Sequence, residues 1–83
     1  MKTYSVQVRV RLKEGILDPQ AEAILEGLKR LEFSSIKSLR CEKLFVLEIE
    51  SETSGQAVEQ ARKMAHQLLA NLVMEDFEVE CLE

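Results

Sequence analysis

Aromatic side chains are scarce in this 83-residue sequence, which holds no tryptophan, one tyrosine and three phenylalanines. A surface that reads single-stranded nucleic acid needs aromatic faces on which bases stack. A net charge of −4 also disfavours a phosphate backbone, so no nucleic-acid partner is expected. Histidine occurs once, as His66, and cysteine twice, as Cys41 and Cys81, with no CxxC pair. A four-ligand zinc site therefore has no frame, and two separate thiols point to reduced cysteines in a cytoplasmic protein. The glycines (Gly15, Gly27 and Gly55) are scattered, so no glycine-rich loop is available to cradle phosphate. No apolar run approaches the ~18–20 residues of a membrane span. The segment Met1–Tyr4 leads straight into a strand pattern without the apolar core of a leader.

What is present is a regular alternation of patterns. Hydrophobic residues make up 46% and charged residues 31%, the balance of one folded domain over residues 1–83. Tyr4, Val6, Val8, Val10 and Leu12 alternate with Ser5, Gln7, Arg9, Arg11 and Lys13, which predicts a strand with one buried face. At Asp18 the period changes. Asp18 can accept from the free N–H groups of a first helical turn, and Pro19 at the first helical position loses no needed donor. Ala21, Ile24, Leu25, Leu28 and Leu31 then share one side of a helix ending near Glu32.

After Phe33-Ser34-Ser35, the segment Ile36–Cys41 reads as a second strand. A tight turn at Glu42-Lys43 leads to a third over Leu44–Glu50. Thr53 and Gln56 have capping-box spacing before a second helix with Ala57, Ala61, Met64, Ala65, Leu68 and Leu72 on its inner side. Glu59 is spaced to pair with Lys63 on its outer side. Phe77, Val79 and Cys81 alternate with Glu78 and Glu80 in a last strand. The order βαββαβ predicts an α+β fold of ferredoxin-like type, an antiparallel sheet with two helices on one face. In that topology the first strand is central, and Arg9 and Arg11 are flanked by Glu48 and Glu50 on one side and by Glu78 and Glu80 on the other.

No catalytic constellation emerges. His66 lies at the edge of a helical stripe, no Ser/His/Asp or Cys/His spacing marks a nucleophile, and the glutamates fall on outward positions. No catalytic, cofactor-binding or metal-binding residue is expected. Contact with other chains is better supported. Leu44 and Val46 lie on the face of their strand opposite to Phe45, Leu47 and Ile49, so that end is apolar on both faces and asks for cover from a second subunit. Ile16 and Leu17 are apolar in a connection, either packed under the following helix or lining such a contact. Arg40 and Lys43 are either solvated turn charges or an ion-pairing patch for another subunit.

The segment Leu12-Lys13-Glu14-Gly15-Ile16-Leu17-Asp18-Pro19-Gln20 resembles the signature after the first strand of the PurS family, the small subunit of phosphoribosylformylglycinamidine (FGAM) synthase. Leu39-Arg40-Cys41-Glu42-Lys43 resembles that family's Val-Arg-x-Gly-Lys segment. Leu68-Leu69-Ala70-Asn71-Leu72-Val73-Met74-Glu75-Asp76-Phe77-Glu78 resembles its Leu-Leu-Ala-Asn-Pro-Val-Ile-Glu-Asp-Tyr-Glu ending. Three departures stand out: Ala21, Glu42 and Leu72 occupy positions where the family usually has glycine, glycine and proline. If the family's turn uses positive φ, Glu42 is strained there, and Leu72 leaves the second helix without its usual stop.

The resemblance implies a cytoplasmic role in purine biosynthesis, in the ATP-dependent step that makes an amidine with ammonia from glutamine. It places that chemistry on a glutaminase subunit and a synthetase subunit, with ATP and magnesium on the synthetase. The chain itself becomes a homo-oligomer, dimer or tetramer, that bridges the two. A small-molecule-sensing regulatory domain of the same topology is the alternative. Gly15 alone is a weak signal for it.

Overall fold

The period-two pattern yields the longest strand of the computed structural model, which describes residues 1–82. Strand β1 (Lys2–Leu12) has both edges occupied, by β2 (Lys43–Ser51) and by β3 (Glu75–Cys81), each antiparallel to it. The order β2-β1-β3 puts the first strand in the centre, as its alternation predicts. Val6, Val8 and Val10 are fully buried on one face. The register sets Phe45 and Val79 on either side of Val8, and Leu47 and Cys81 on either side of Val6.

Helix α2 (Ser54–Met64) covers this inner face. Thr53 caps it, its Oγ1 accepting from the Gln56 N–H at 3.2 Å. Ala57, Ala61 and Ala65 are fully buried against the three valines. Alanine lets the helix sit close to the sheet, and each buried valine contributes roughly 1.5–3 kcal/mol. The helix passes into a π-helical turn, Ala65–Leu69, which ends where the Ala70 N–H reaches back to the Ala65 carbonyl at 3.0 Å.

The wider turn moves later side chains off the inner stripe. Met64 and Leu68, expected inside, are exposed for that reason. The helix nonetheless stops before Leu72. The outer ion pair of α2 joins Glu59 to Arg62 at 3.8 Å, where sequence spacing favoured Lys63.

Helix α1 (Pro19–Arg30) starts as its sequence dictates. Asp18 Oδ1 accepts from the N–H groups of Gln20 and Ala21 at 3.1 and 3.3 Å. At the other end Glu32 takes φ +74°, the Phe33 N–H donates to the Leu28 carbonyl and the Glu32 N–H to the Lys29 carbonyl. This pair of bonds is a Schellman stop with glutamate where glycine is usual.

The ferredoxin-like α+β arrangement stands, with two differences from the sequence reading. Only α2 packs on the sheet; α1 touches the strands marginally, and the protomer measures 52 × 26 × 14 Å. The segment expected to be a strand over Ile36–Cys41 forms no ladder. Both edges of β1 are already taken, and a hairpin onto β2 needs a turn that Glu42-Lys43 does not encode. Glu42 instead pairs with Arg9 and Arg40 at 3.6 and 3.8 Å. Its φ is not positive; among the described residues Glu32 alone of the non-glycines has that geometry.

The outer face of the sheet is half as expected. Arg9 stands opposite Glu78, and Arg11 bonds Glu78 at 2.7 Å. On the β2 side Glu48 and Glu50 face Ser5 and Thr3, further along the strand than the arginines. Arg9 and Gln7 instead have Leu44 and Val46 as neighbours.

Candidate functional site

One end of the sheet gathers all three segments on which the family resemblance rests. After β1 the chain turns at Gly15, whose φ of +86° suits glycine alone among common residues. The Ile16 N–H closes the turn on the Lys13 carbonyl at 3.2 Å, and the Lys13 N–H reaches the Met74 carbonyl at 2.8 Å. The loop of the first segment is thereby tied to the turn of the third.

That turn is built around Asn71. Its Oδ1 accepts from the Val73 N–H at 3.1 Å, an Asx turn, and its carbonyl accepts from the N–H groups of Met74 and Glu75 at 3.0 and 2.7 Å. Its own N–H donates to Glu75 Oε1 at 2.8 Å. Glu75 also meets Lys43 Nζ at 3.3 Å, which joins the second segment to the third. The Asn71 N–H bond, and after it the Lys43 charge, hold the Glu75 carboxyl below the usual carboxylate range against the opposing effect of burial. The Glu78 carboxylate, through its hydrogen bond and then its charge, raises the Arg11 pKa above its ordinary value.

Between the Lys13–Asp18 loop, the first turn of α1 and the 39–42 segment lies an open cleft of about 500 Å³, with Ile16, Leu17, Ala21, Leu39, Arg40 and Cys41 in its lining. Its charges are mixed: Arg11, Lys13 and Arg40 face Glu14, Glu22, Glu42 and Asp76. No group of three or more His, Cys, Asp or Glu that could hold a metal ion occurs among the described residues. The arrangement suits a shaped contact surface better than acid–base work, which needs convergent groups with strongly displaced pKa values.

The candidate interface residues fall on two surfaces. Ile16, Leu17 and Arg40 line the cleft; Leu17 is 71% exposed, so it does not pack under α1. Lys43 lies on the inner side of the sheet end, held by Glu75. Leu44 and Val46, each 54% exposed, lie on the outer face beside Arg9 and Gln7. Cys41 and Cys81 are unpaired thiols, each half-buried, and His66 is exposed.

Sequence reasoning missed the Asn71–Glu75–Lys43 node, although an acid at a strand end within reach of a lysine was a signal available for it. It also missed the exposed apolar residues Val73 and Leu31, which its periodicity placed in a turn and in a core stripe.

Comparison with known proteins bears on this geometry. The family model described as PurS, phosphoribosylformylglycinamidine (FGAM) synthase, matches residues 5–83. The chain is 36% identical over 80 residues to the synthase subunit PurS of Bacillus subtilis, covering 96% of this chain and 94% of that protein. It is 35% identical over 72 residues to PurS of Archaeoglobus fulgidus, covering 87% and 90%. Among solved structures, PurLQS from Thermotoga maritima holds a chain that matches with a TM-score of 0.91 at 32% identity, covering 99% of this chain and all of that one. PurS of Methanocaldococcus jannaschii, a subunit of formylglycinamide ribonucleotide amidotransferase, matches with a TM-score of 0.88 at 30% identity over 96% of each chain.

Proposed function

Because this chain belongs to the PurS family of FGAM synthase subunits, we propose that it is the assembly subunit of that ligase, bridging the glutaminase and the synthetase. The observation that carries the reading is the end-to-end match to the chain found in the Thermotoga PurLQS complex. In this reading glutamine hydrolysis belongs to the glutaminase, and amidine formation, with ATP and magnesium, to the synthetase. The chain contributes position. Holding two active sites in register raises the effective concentration of transferred ammonia without new chemistry. The complex works in the cytoplasm, and no helix among the described residues is long and apolar enough to cross a membrane.

The chain acts as a homo-oligomer in this reading. Val6, Val8 and Val10 are its largest fully buried side chains, a small core for independent stability. Ile16, Leu17, Arg40, Lys43, Leu44 and Val46 are assigned to contacts with other subunits. Leu44 and Val46 supply an apolar patch on the sheet, and Arg40, 81% exposed at its side chain, supplies a charge on the cleft rim.

The test mixes this chain with the glutaminase and synthetase of the same organism and follows FGAM formation from glutamine and from ammonia. Glutamine use is expected to require the chain while ammonia use survives its omission. Arg40→Ala is expected to weaken assembly, and Val46→Glu to disrupt the homo-oligomer at micromolar concentration. Equal glutamine use with and without the chain would sink the bridging role.

A further inference from the structure

We propose that helix α1 pairs antiparallel with α1 of a second copy of this chain, across a stripe formed by Ile24, Gly27 and Leu31. The proposal rests on the homo-oligomeric reading above and assigns one of its contact surfaces. At 100° per residue these positions share one side of the helix. That side is distinct from the side of Ala21, Leu25 and Leu28, which are buried or half-buried in the protomer. Ile24 and Leu31 are exposed, Leu31 at 69%, and α1 has only marginal contact with the strands. A helix of this length is marginal in water without packing on an apolar face.

Gly27 points the same way. It sits in mid-helix without positive φ, and a Cβ built on it meets nothing within 4 Å. Nothing in the protomer calls for glycine there, although glycine weakens a helix relative to alanine. A helix crossing close to the backbone from outside supplies the reason, since the side chains at a crossing set how near two helices approach.

The surface area of the chain shows that cover is needed. The chain exposes 6285 Å², whereas a compact monomer of 9.5 kDa exposes about 5,000 Å². Its radius of gyration is 16.5 Å against about 12 Å for a compact domain of this length. The excess of about 1,200 Å² per chain exceeds the ~800 Å² that each partner buries in a standard interface. One helix pair accounts for part of it, and the Leu44–Val46 patch is available for the rest.

The stripe is self-complementary, which selects a second copy as occupant. A two-fold axis beside Gly27 sets Ile24 of one helix against the partner's Leu31 and the reverse, as an isologous contact requires. The same axis brings the end that carries Leu17 beside the partner's end that carries Phe33, both exposed. Antiparallel helix dipoles add a favourable term.

The test uses the full chain with Cys41→Ser and Cys81→Ser, into which Gly27→Cys or, as a control on the opposite side of α1, Glu22→Cys is introduced. Mild oxidation is expected to give an intermolecular disulfide rapidly at position 27, where the crossing brings Cα atoms within bridging range, and slowly at position 22. In parallel, sedimentation equilibrium of Ile24→Glu is expected to show a dissociation constant raised at least ~30-fold over the unsubstituted chain. If the chain self-associates but neither the disulfide nor the dissociation constant responds, helix pairing is wrong and the homo-oligomeric reading survives. If the unsubstituted chain is monomeric at micromolar concentration, both fall.

Discussion

Replacing Glu75 by glutamine isolates what its charge contributes to the sheet end. The carboxylate accepts from the Asn71 N–H at 2.8 Å and meets Lys43 Nζ at 3.3 Å, and its side chain is only 13% exposed. A hydrogen bond to a charged group contributes about 1.5–3 kcal/mol, against about 1 kcal/mol for a neutral one. Glutamine keeps an acceptor for the Asn71 N–H and the shape of the side chain, so Glu75→Gln is expected to cost the difference, about 1 kcal/mol. In a domain of this size that is a fall in Tm of roughly 4–8 °C.

The charge makes the effect depend on pH, and its direction follows from the lowered pKa of Glu75. The unfolded chain takes up this proton at a higher pH than the folded one, near 4.5. The stabilisation is therefore fully present above the ordinary carboxylate range and is lost as pH falls through the depressed folded value. Urea unfolding followed by circular dichroism, at fixed protein concentration, measures both proteins from pH 7 down to about pH 3. The stability gap between the unsubstituted chain and the Glu75→Gln variant should be widest near neutrality and close towards acid. A gap that stays constant with pH would refute the assignment of the effect to the carboxylate charge.

Two further substitutions test the ends of α1. Asp18→Ala removes the acceptor for the Gln20 and Ala21 N–H groups and is expected to cost about 1 kcal/mol, read as lost helicity and a lower urea midpoint. Glu32→Gly relieves a left-handed backbone at φ +74°. The gain of about 1–2 kcal/mol exceeds the ~0.4–1 kcal/mol of added unfolded-chain entropy, so a small net stabilisation is expected by the same assay.

What the sequence made legible was whatever a local pattern decides. The alternation from Tyr4 to Leu12 needs only a period of two to mark a central strand with a valine face. Asp18-Pro19 and Thr53 mark helix starts because capping is a contact between residues two or three apart. Ile36–Cys41 failed because a strand is a statement about a partner, and the pairing of β1 with both β2 and β3 left that segment no free central edge. Leu68 was misplaced by a π turn that no propensity encodes. The outward placement of Leu31 depends on where α1 lies relative to the sheet, which periodicity does not carry. The contact residues were half legible: Leu44 and Val46 stood out as a second apolar face, whereas the joining of Lys43 to Glu75 required the fold.

The three departures from the family pattern show how local geometry absorbs a changed residue. Leu72 cannot stop a helix as proline does, yet the helix ends before it. The π turn closes at Ala70 and Asn71 organises the next turn with its side chain and both backbone groups, so the stop is already made upstream. Glu42 would be strained in a turn with positive φ, but the chain forms no such turn there. The glutamate faces Arg9 and Arg40, an interaction a glycine could not make. Ala21 is buried in the first turn of α1 at the cleft, where its methyl group adds helix propensity and apolar cover. Each change is compensated inside the segment that carries it. The three segments can therefore still meet at the same end of the sheet, which is the condition for that end to serve as a contact surface in an assembly.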